Sequence, residues 1–248
     1  MKHIRKLFIL LLASMLSLQL MAQEVEFTAD RPGASTGTSV VGRNVVQWEQ
    51  GVEYEGGEGN GSITFSNTLF RYGLFDRMEL RLSGDGILYD DNGTFKPAFS
   101  GLTIGTKVQC YEGKGAIPTV AILAEFKIPK TGSHMYDTSN VAPSLYLLFD
   151  NPINDTFSIG YNVGAEWDGE SATPNAFLAL CLGVAFNDRW GCFAESYNYI
   201  GENQFCADFG VNWMASKRVQ LDLAANLDVC NPSNYWAVSF GVAWQINK

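Results

Sequence analysis

The sequence contains no apolar run long enough to cross a membrane as a helix. Its longest run, at 7–20, has about 14 residues and follows a basic start, whereas a spanning helix needs roughly 20. A basic start, an apolar centre and a small residue, Ala22, before Gln23 form the three-part layout of a secretory signal. We therefore expect residues 1–22 to be a cleaved signal peptide, with an uncleaved anchor as the alternative.

Charge is scarce in the rest of the chain, and basic charge is scarcest. Charged residues make up 17% of the sequence, where a soluble protein usually has about a quarter. Without the three basic residues of the signal, 14 basic residues face 26 acidic ones, a formal charge of −12. Because such a surface has no basic excess to neutralise phosphates, we expect no nucleic-acid partner.

Cysteine and histidine are too few and too scattered to suggest a disulfide framework, a metal site or an enzyme. The five cysteines include no C-x-x-C pair and are typical of small apolar packing residues. The one histidine after the signal, His134, adjoins Ser133 in a long loop, where no third group would orient a nucleophile and base. No glycine motif precedes a helix to hold a phosphate. We predict no cofactor, no metal and no catalysis, with a lipid-hydrolysing barrel as the remote alternative.

What the sequence has instead is an alternation of apolar residues with small or polar ones after residue 44. Each of the clearest segments covers about ten residues, longer than the roughly five or six of a globular strand and close to the 9–11 that a tilted strand needs to cross a bilayer. We predict an all-β, up-and-down antiparallel transmembrane β-barrel over residues 45–248, with about twelve strands. The predicted strands are Val46–Tyr54, Ile63–Leu69, Met78–Leu82, Leu102–Cys110, Val120–Ile128, Pro143–Phe149, Phe157–Trp167, Ala176–Phe186, Trp190–Tyr199, Phe205–Trp213, Val219–Val229 and Trp236–Ile246.

The connections between these strands alternate in length, as they do in outer-membrane barrels with short periplasmic turns and longer outer loops. A soluble β-sandwich also alternates, but it has shorter strands and more surface charge, so we favour a barrel with its apolar face outward. The predicted tight turns are Gly73–Arg77, Asn187–Arg189 and Ala215–Arg218, and the predicted longer links are Gly56–Gly61, Gly84–Pro97, Pro129–Ala142 and Asp168–Pro174.

Three local motifs resemble the phenol-degradation meta-pathway transporter family of outer-membrane β-barrels. They are Thr28–Gly33 (TADRPG), Gln47–Tyr54 (QWEQGVEY) and Leu69–Arg81 (LFRYGLFDRMELR). The resemblance implies location in the outer membrane and passage of small, hydrophobic or aromatic molecules. It also implies membrane lipid, an unknown small-molecule permeant and the barrel-assembly machinery as partners. The last five residues, Trp244–Lys248, differ from those of many outer-membrane barrels because the final residue is not aromatic.

The alternation also predicts which polar residues point into the barrel. They would form either a pore lining that selects permeating molecules by the sign of their charge and by their size, or a structural network of paired charges without a conducting pore. Twelve strands lie between the filled eight-stranded barrel and the open channel of 16–18 strands. We therefore expect a constricted, acidic lumen that prefers cations. The candidates are Glu49, Glu53, Glu79, Arg81, Lys107, Glu125, Lys127, Glu166, Glu195, Asp208, Asp222, Asn226 and Asp228, with the phase of Glu195 and of Arg71 ambiguous.

Residues 23–44, between the signal and the first strand, are polar and rich in glycine and threonine. They could fold into the barrel as a plug, with Asp30 and Arg31 as the candidate contacts and Arg31 meeting lumen carboxylates. They could equally form a loose periplasmic tail. The sequence leaves both possibilities open.

Overall fold

The computed structural model describes residues 27–57, 61–200 and 205–246. The predicted signal peptide at 1–22 lies outside the described residues. In this part of the chain, no helix is long and apolar enough to cross a membrane. The described residues form thirteen strands: β1 Val46–Gly56, β2 Ser62–Phe75, β3 Met78–Asp91, β4 Thr94–Phe99, β5 Thr103–Tyr111, β6 Thr119–Lys127, β7 Ala142–Pro152, β8 Phe157–Glu166, β9 Asn175–Ala185, β10 Trp190–Ile200, β11 Phe205–Ser216, β12 Val219–Asp228 and β13 Trp236–Gln245.

These strands close into one antiparallel barrel. Strand β1 pairs with β2 along one edge and with β13 along the other, which closes the sheet on itself. Strand β3 pairs with β4 over Gly86–Asp91 and with β5 over Met78–Ser83. Strands β4 and β5 therefore lie one above the other at a single strand position of the barrel wall. Gly101, with a φ of 97°, lies in the break between them. Thirteen strands occupy twelve positions, which confirms the predicted twelve-stranded barrel.

The predicted loop Gly84–Pro97 is wrong, because most of it is a hairpin that extends the barrel wall. Strand β3 continues to Asp91, and β4 returns from Thr94. Asn92 and Gly93 make the turn with φ values of 54° and 84°. Positive φ at both central residues is the type I′ geometry that Asn-Gly pairs favour in two-residue hairpins.

The two rims of the barrel differ in their connections. We call the rim at the start of β1 and the end of β13 the lower rim, and the opposite one the upper rim. Three of the lower connections are 76–77, 186–189 and 217–218, which overlap the predicted tight turns Gly73–Arg77, Asn187–Arg189 and Ala215–Arg218. Two of the upper connections, 128–141 and 167–174, are longer.

The apolar face of the wall points outward. On β9, Leu178, Leu180 and Leu182 are each at least 42% exposed, while the alternate residues Phe177 and Ala179 are at most 6% exposed. Many charged side chains, in contrast, are buried on the inner side of the barrel. A soluble sandwich would have the reverse arrangement, so this distribution is that of a barrel embedded in lipid.

Aromatic pairs lie at the ends of the strands near both rims. Tyr54 and Trp236 pack at a centroid distance of 5.4 Å near the upper rim. Trp190 and Trp213 stack at 5.7 Å near the lower rim. Such pairs are typical of the aromatic girdles that outer-membrane barrels place at the two membrane interfaces.

Candidate functional site: the occupied lumen

Residues 27–45, which we call the lumen segment, lie inside the barrel. The carbonyl of Thr28 accepts a hydrogen bond from Gln47 Nε2 of β1 at 2.6 Å. The amide of Thr36 donates to Asn162 Oδ1 of β8, on the opposite wall, at 2.7 Å. The segment then returns toward the lower rim, where the amide of Val41 donates to Glu79 Oε2 at 2.8 Å. It therefore forms a loop that crosses the lumen and has both ends at the lower rim.

Asp30 of the lumen segment binds three buried cations of the wall. Lys107 Nζ donates to Asp30 Oδ1 at 2.8 Å, and Arg81 Nη1 donates to Oδ2 at 2.5 Å. Arg71 Nη1 lies 3.7 Å from Oδ1. Burial raises the pKa of Asp30, but the three cations outweigh burial and hold its pKa well below the usual range. Asp30 is therefore a charged anchor at physiological pH.

The same cations bind carboxylates of the wall. Arg71 donates to Glu49 Oε1 and to Glu79 Oε2, both at 2.9 Å, and is completely buried. Arg81 Nε donates to Glu125 Oε1 at 2.9 Å. The wall alone thus contributes three acids and three bases, with Lys107 as the third base. Buried charges are costly unless paired, and here each has a partner of opposite sign.

Arg31 points away from this cluster, toward the acidic part of the wall. Its Nη2 donates to Asp222 Oδ1 of β12 at 3.2 Å, and its Nη1 donates to Asn67 Oδ1 of β2 at 2.9 Å. The guanidinium lies against Gly51 of β1 and Gly241 of β13, where a Cβ would occupy the space of its atoms. Two glycines in adjacent strands therefore form a groove for this side chain.

Backbone amides of the lumen segment bind the remaining acidic wall. Glu195 of β10 accepts hydrogen bonds from the amides of Ala34 and Ser35 and from the Ser35 hydroxyl. Asp150 of β7 accepts from the amide of Thr38 at 2.6 Å and from its hydroxyl at 2.7 Å. The segment thus presents its carboxylate to three cations of the wall, and its guanidinium and amides to carboxylates of the wall.

The structure distributes the predicted lumen residues among three places. Glu49, Glu79, Arg81, Lys107 and Glu125 meet around Asp30, while Asp222 binds Arg31. The two residues of ambiguous phase, Arg71 and Glu195, both point inward and bind the lumen segment. The others lie elsewhere on the inner wall: Asp208 opposite Glu195, Glu53 beside Glu55, Glu166 bonded to Tyr146, Asn226 bonded to Tyr197, Asp228 capping the turn at Cys230, and Lys127 near the upper rim.

Sequence reasoning missed Asp150 and Asn162, which both bind the lumen segment. Asp150 lies one residue beyond the predicted strand Pro143–Phe149. The inner face of β7 also carries Tyr146 and Leu148, and the outer face carries Leu145 and Leu147. Because both faces are apolar, alternation does not reveal the phase of this strand.

Ser133 and His134 lie in the upper connection 128–141. Ser133 Oγ accepts a hydrogen bond from the amide of Phe99 at 2.9 Å, and the side chain of His134 is exposed. Among the described residues, no group of three His, Cys, Asp or Glu side chains could hold a metal ion.

The glycine groove leads to a first prediction. A Gly241→Ala substitution should displace the Arg31 guanidinium with little loss of stability, because the atoms that must move are the end of a flexible side chain. We expect the single-channel current to become noisier, since Arg31 would lose its fixed contact with Asp222. Planar-bilayer recordings of the variant and the unmodified protein measure this. A current identical to that of the unmodified protein would contradict the proposed fit of Arg31.

Comparisons with known proteins agree with this architecture. Residues 29–246 match a family model described as "Putative MetA-pathway of phenol degradation", so the match includes most of the lumen segment. No curated protein matches the chain significantly. The solved structure of the KdgM porin in complex with disordered oligogalacturonate has a TM-score of 0.56 at 11% identity, covering 81% of this chain and 99% of that one. A second KdgM porin structure has a TM-score of 0.55 at 11% identity, covering 80% and 99%. This chain has the fold of outer-membrane porins, and it belongs to the family described as the MetA pathway of phenol degradation.

Proposed function

We propose that this protein is an outer-membrane pore or transporter for small molecules, and that the lumen segment constricts its passage. The observation that carries the proposal is the charge complementarity inside the barrel. Asp30 binds the three cations of one wall, and Arg31 binds Asp222 of another. A tail with no role in the lumen would not need opposite charges on adjacent residues, each paired with wall side chains of opposite sign.

The position of the segment also suits a gate. Both of its ends lie at the lower rim, where the amide of Asn44 donates to the carbonyl of Gly73 at 2.7 Å. It can therefore leave toward the lower side without threading through the barrel. The short connections at this rim are typical of the periplasmic side of outer-membrane barrels, so the segment would open toward the periplasm.

Reconstitution of the purified protein into planar bilayers tests conduction directly. Discrete current steps would support a pore. Silence at high protein load, from protein that shows the heat-modifiable gel mobility of a folded barrel, would instead support a structural barrel without a passage.

Ion selectivity follows from the charges of the inner wall. Outside the Asp30 cluster, Glu195 and Asp208 face one another across β10 and β11, and both are buried. We therefore expect potassium to permeate better than chloride, as measured by the reversal potential in a KCl gradient. Glu195→Gln should reduce this preference, whereas Asp188→Asn, in an exposed lower turn, should leave it unchanged. A reversal potential that favours chloride would reject the acidic-lumen proposal.

A further inference from the structure

A separate cavity of about 530 Å³ lies in the lumen between the lumen segment and the upper rim. Ala34 and Thr36 of the segment contribute to its lining, so it ends at the constriction. Its volume is within the roughly 300–1,000 Å³ that is usual for small-molecule sites. Five of its twelve lining residues are aromatic: Tyr146, Phe177, Tyr197, Tyr199 and Tyr235.

The aromatic rings of this cavity pack around Phe177 of β9. Phe177 meets Tyr146 edge-on at 5.8 Å, and it lies 6.2 Å from Tyr197 and 5.2 Å from Tyr199. Phe177 is only 4% exposed, so it supports the ring cluster from behind. Rings from β7, β9 and β10 therefore form one continuous wall of the cavity.

The hydroxyl groups of two of these tyrosines are engaged by polar neighbours. Tyr146 Oη donates to Glu166 Oε1 at 2.6 Å, and Asn226 Nδ2 donates to Tyr197 Oη at 2.5 Å. Because the hydroxyls are bound to the wall, the positions of the rings are fixed. A ligand that binds against fixed rings immobilises little side-chain freedom, and the faces of aromatic rings attract cations.

The charged side chains that line the cavity are acidic. They are Glu166 and Glu125, and Arg81 Nε binds Glu125 at 2.9 Å from outside the lining; among the described residues no lysine or arginine lines the cavity. A second cavity of about 510 Å³ shares both carboxylates and extends under the loop 128–141 near the upper rim. That cavity adds Asp137 and Asp168, against Lys127 as its basic residue. A ligand that approaches from the upper rim thus passes through a region of negative potential.

From these observations we infer that the aromatic cavity binds small organic cations of the substituted-ammonium class. Aromatic ring faces together with carboxylates recognise ammonium groups through cation–π attraction and charge. A neutral aromatic molecule would gain from the rings but nothing from Glu125 and Glu166. An anion would be repelled. The inference deepens the proposed function, on which it rests for access from the upper side.

Choline and its neutral isostere, 3,3-dimethyl-1-butanol, test the inference. We expect titration calorimetry on the folded barrel in detergent to show choline binding in the millimolar range, with the isostere at least about tenfold weaker because it lacks the charge. Equal binding of the two compounds, or no binding of choline, would overturn the inference.

Substitutions of Tyr199 provide the matched pair of variants. Tyr199→Leu removes a ring and should weaken choline binding about fivefold, whereas Tyr199→Phe keeps the ring and should bind as the unmodified protein does. Heat-modifiable mobility shows that each variant is folded. Equal choline affinity in the two variants would contradict the role of the ring. The two proposals can be distinguished. A folded barrel that binds choline selectively but shows no current steps in bilayers would reject conduction and support the binding site.

Discussion

Deletion of residues 24–40 is expected to raise the single-channel conductance several-fold. This stretch carries Asp30, Arg31 and the amides that bind Glu195, and it connects opposite walls of the barrel. Without it, the passage would be limited by the side chains of a twelve-stranded wall, which is wider than the filled interior of an eight-stranded barrel. Planar-bilayer recordings of the deleted and full-length proteins measure the difference.

The barrel should remain folded after this deletion. Without Asp30, the Asp30 cluster keeps three wall cations and three wall acids. The cations are Arg71, Arg81 and Lys107, and the acids are Glu49, Glu79 and Glu125. The cluster therefore becomes formally neutral when Asp30 is removed, and water can replace the lost amide donors.

A synthetic peptide of residues 24–40 provides the control for the deletion. Added to the side of the lower rim, it should reduce the conductance of the deleted barrel again. Added to the upper side, it should act more weakly, because the segment normally occupies the lumen from below. If the deleted and full-length barrels conduct equally, the lumen segment does not constrict the pore.

The barrel itself could be predicted from the sequence, because lipid imposes its pattern on every strand. Each strand must place apolar residues outward, so the period of two repeats in all of them, as in Trp236–Ile246. The hairpin at Asn92-Gly93 was also readable from its turn signal. The charged residues Asp85, Asp90 and Asp91 around this turn favour a loop, so sequence polarity and turn signal disagree here.

The site could be predicted only in part, because its contacts depend on closure of the barrel. Asp30 lies 77 residues from Lys107 in the sequence, and no local pattern joins them. Arg71 had an ambiguous phase because apolar residues occupy both faces of β2, with Leu69 beside it on the inner face and Phe70 on the outer face. Irregular pairing between Gly73 and Phe75 disturbs the alternation further.

Substitution of Arg71 by methionine should be the most destabilising single change in the lumen. Arg71 is completely buried, and its guanidinium donates to Glu49, to Glu79 and to the carbonyls of Thr28 and Ser39. The substitution would leave those two carboxylates and Asp30 with only Arg81 and Lys107 as cations. Removal of one partner from a buried ion-pair network costs about 3–5 kcal/mol, since the remaining charges stay buried without compensation. The free energy of unfolding, measured by urea titration in detergent micelles or liposomes, should fall by this amount.

Arg77→Met is the matched control, because it removes the same type of side chain six residues away. Arg77 pairs with Glu112 at 3.1 Å in the lower turns, where the side chains are 55% and 71% exposed. An exposed pair of this kind contributes at most about 1 kcal/mol, so the control variant should unfold almost like the unmodified protein. Equal losses in the two variants would mean that the Arg71 network does not stabilise the barrel. A loss confined to Arg71→Met, accompanied by higher conductance, would mean that the network holds both the wall and the lumen segment in place.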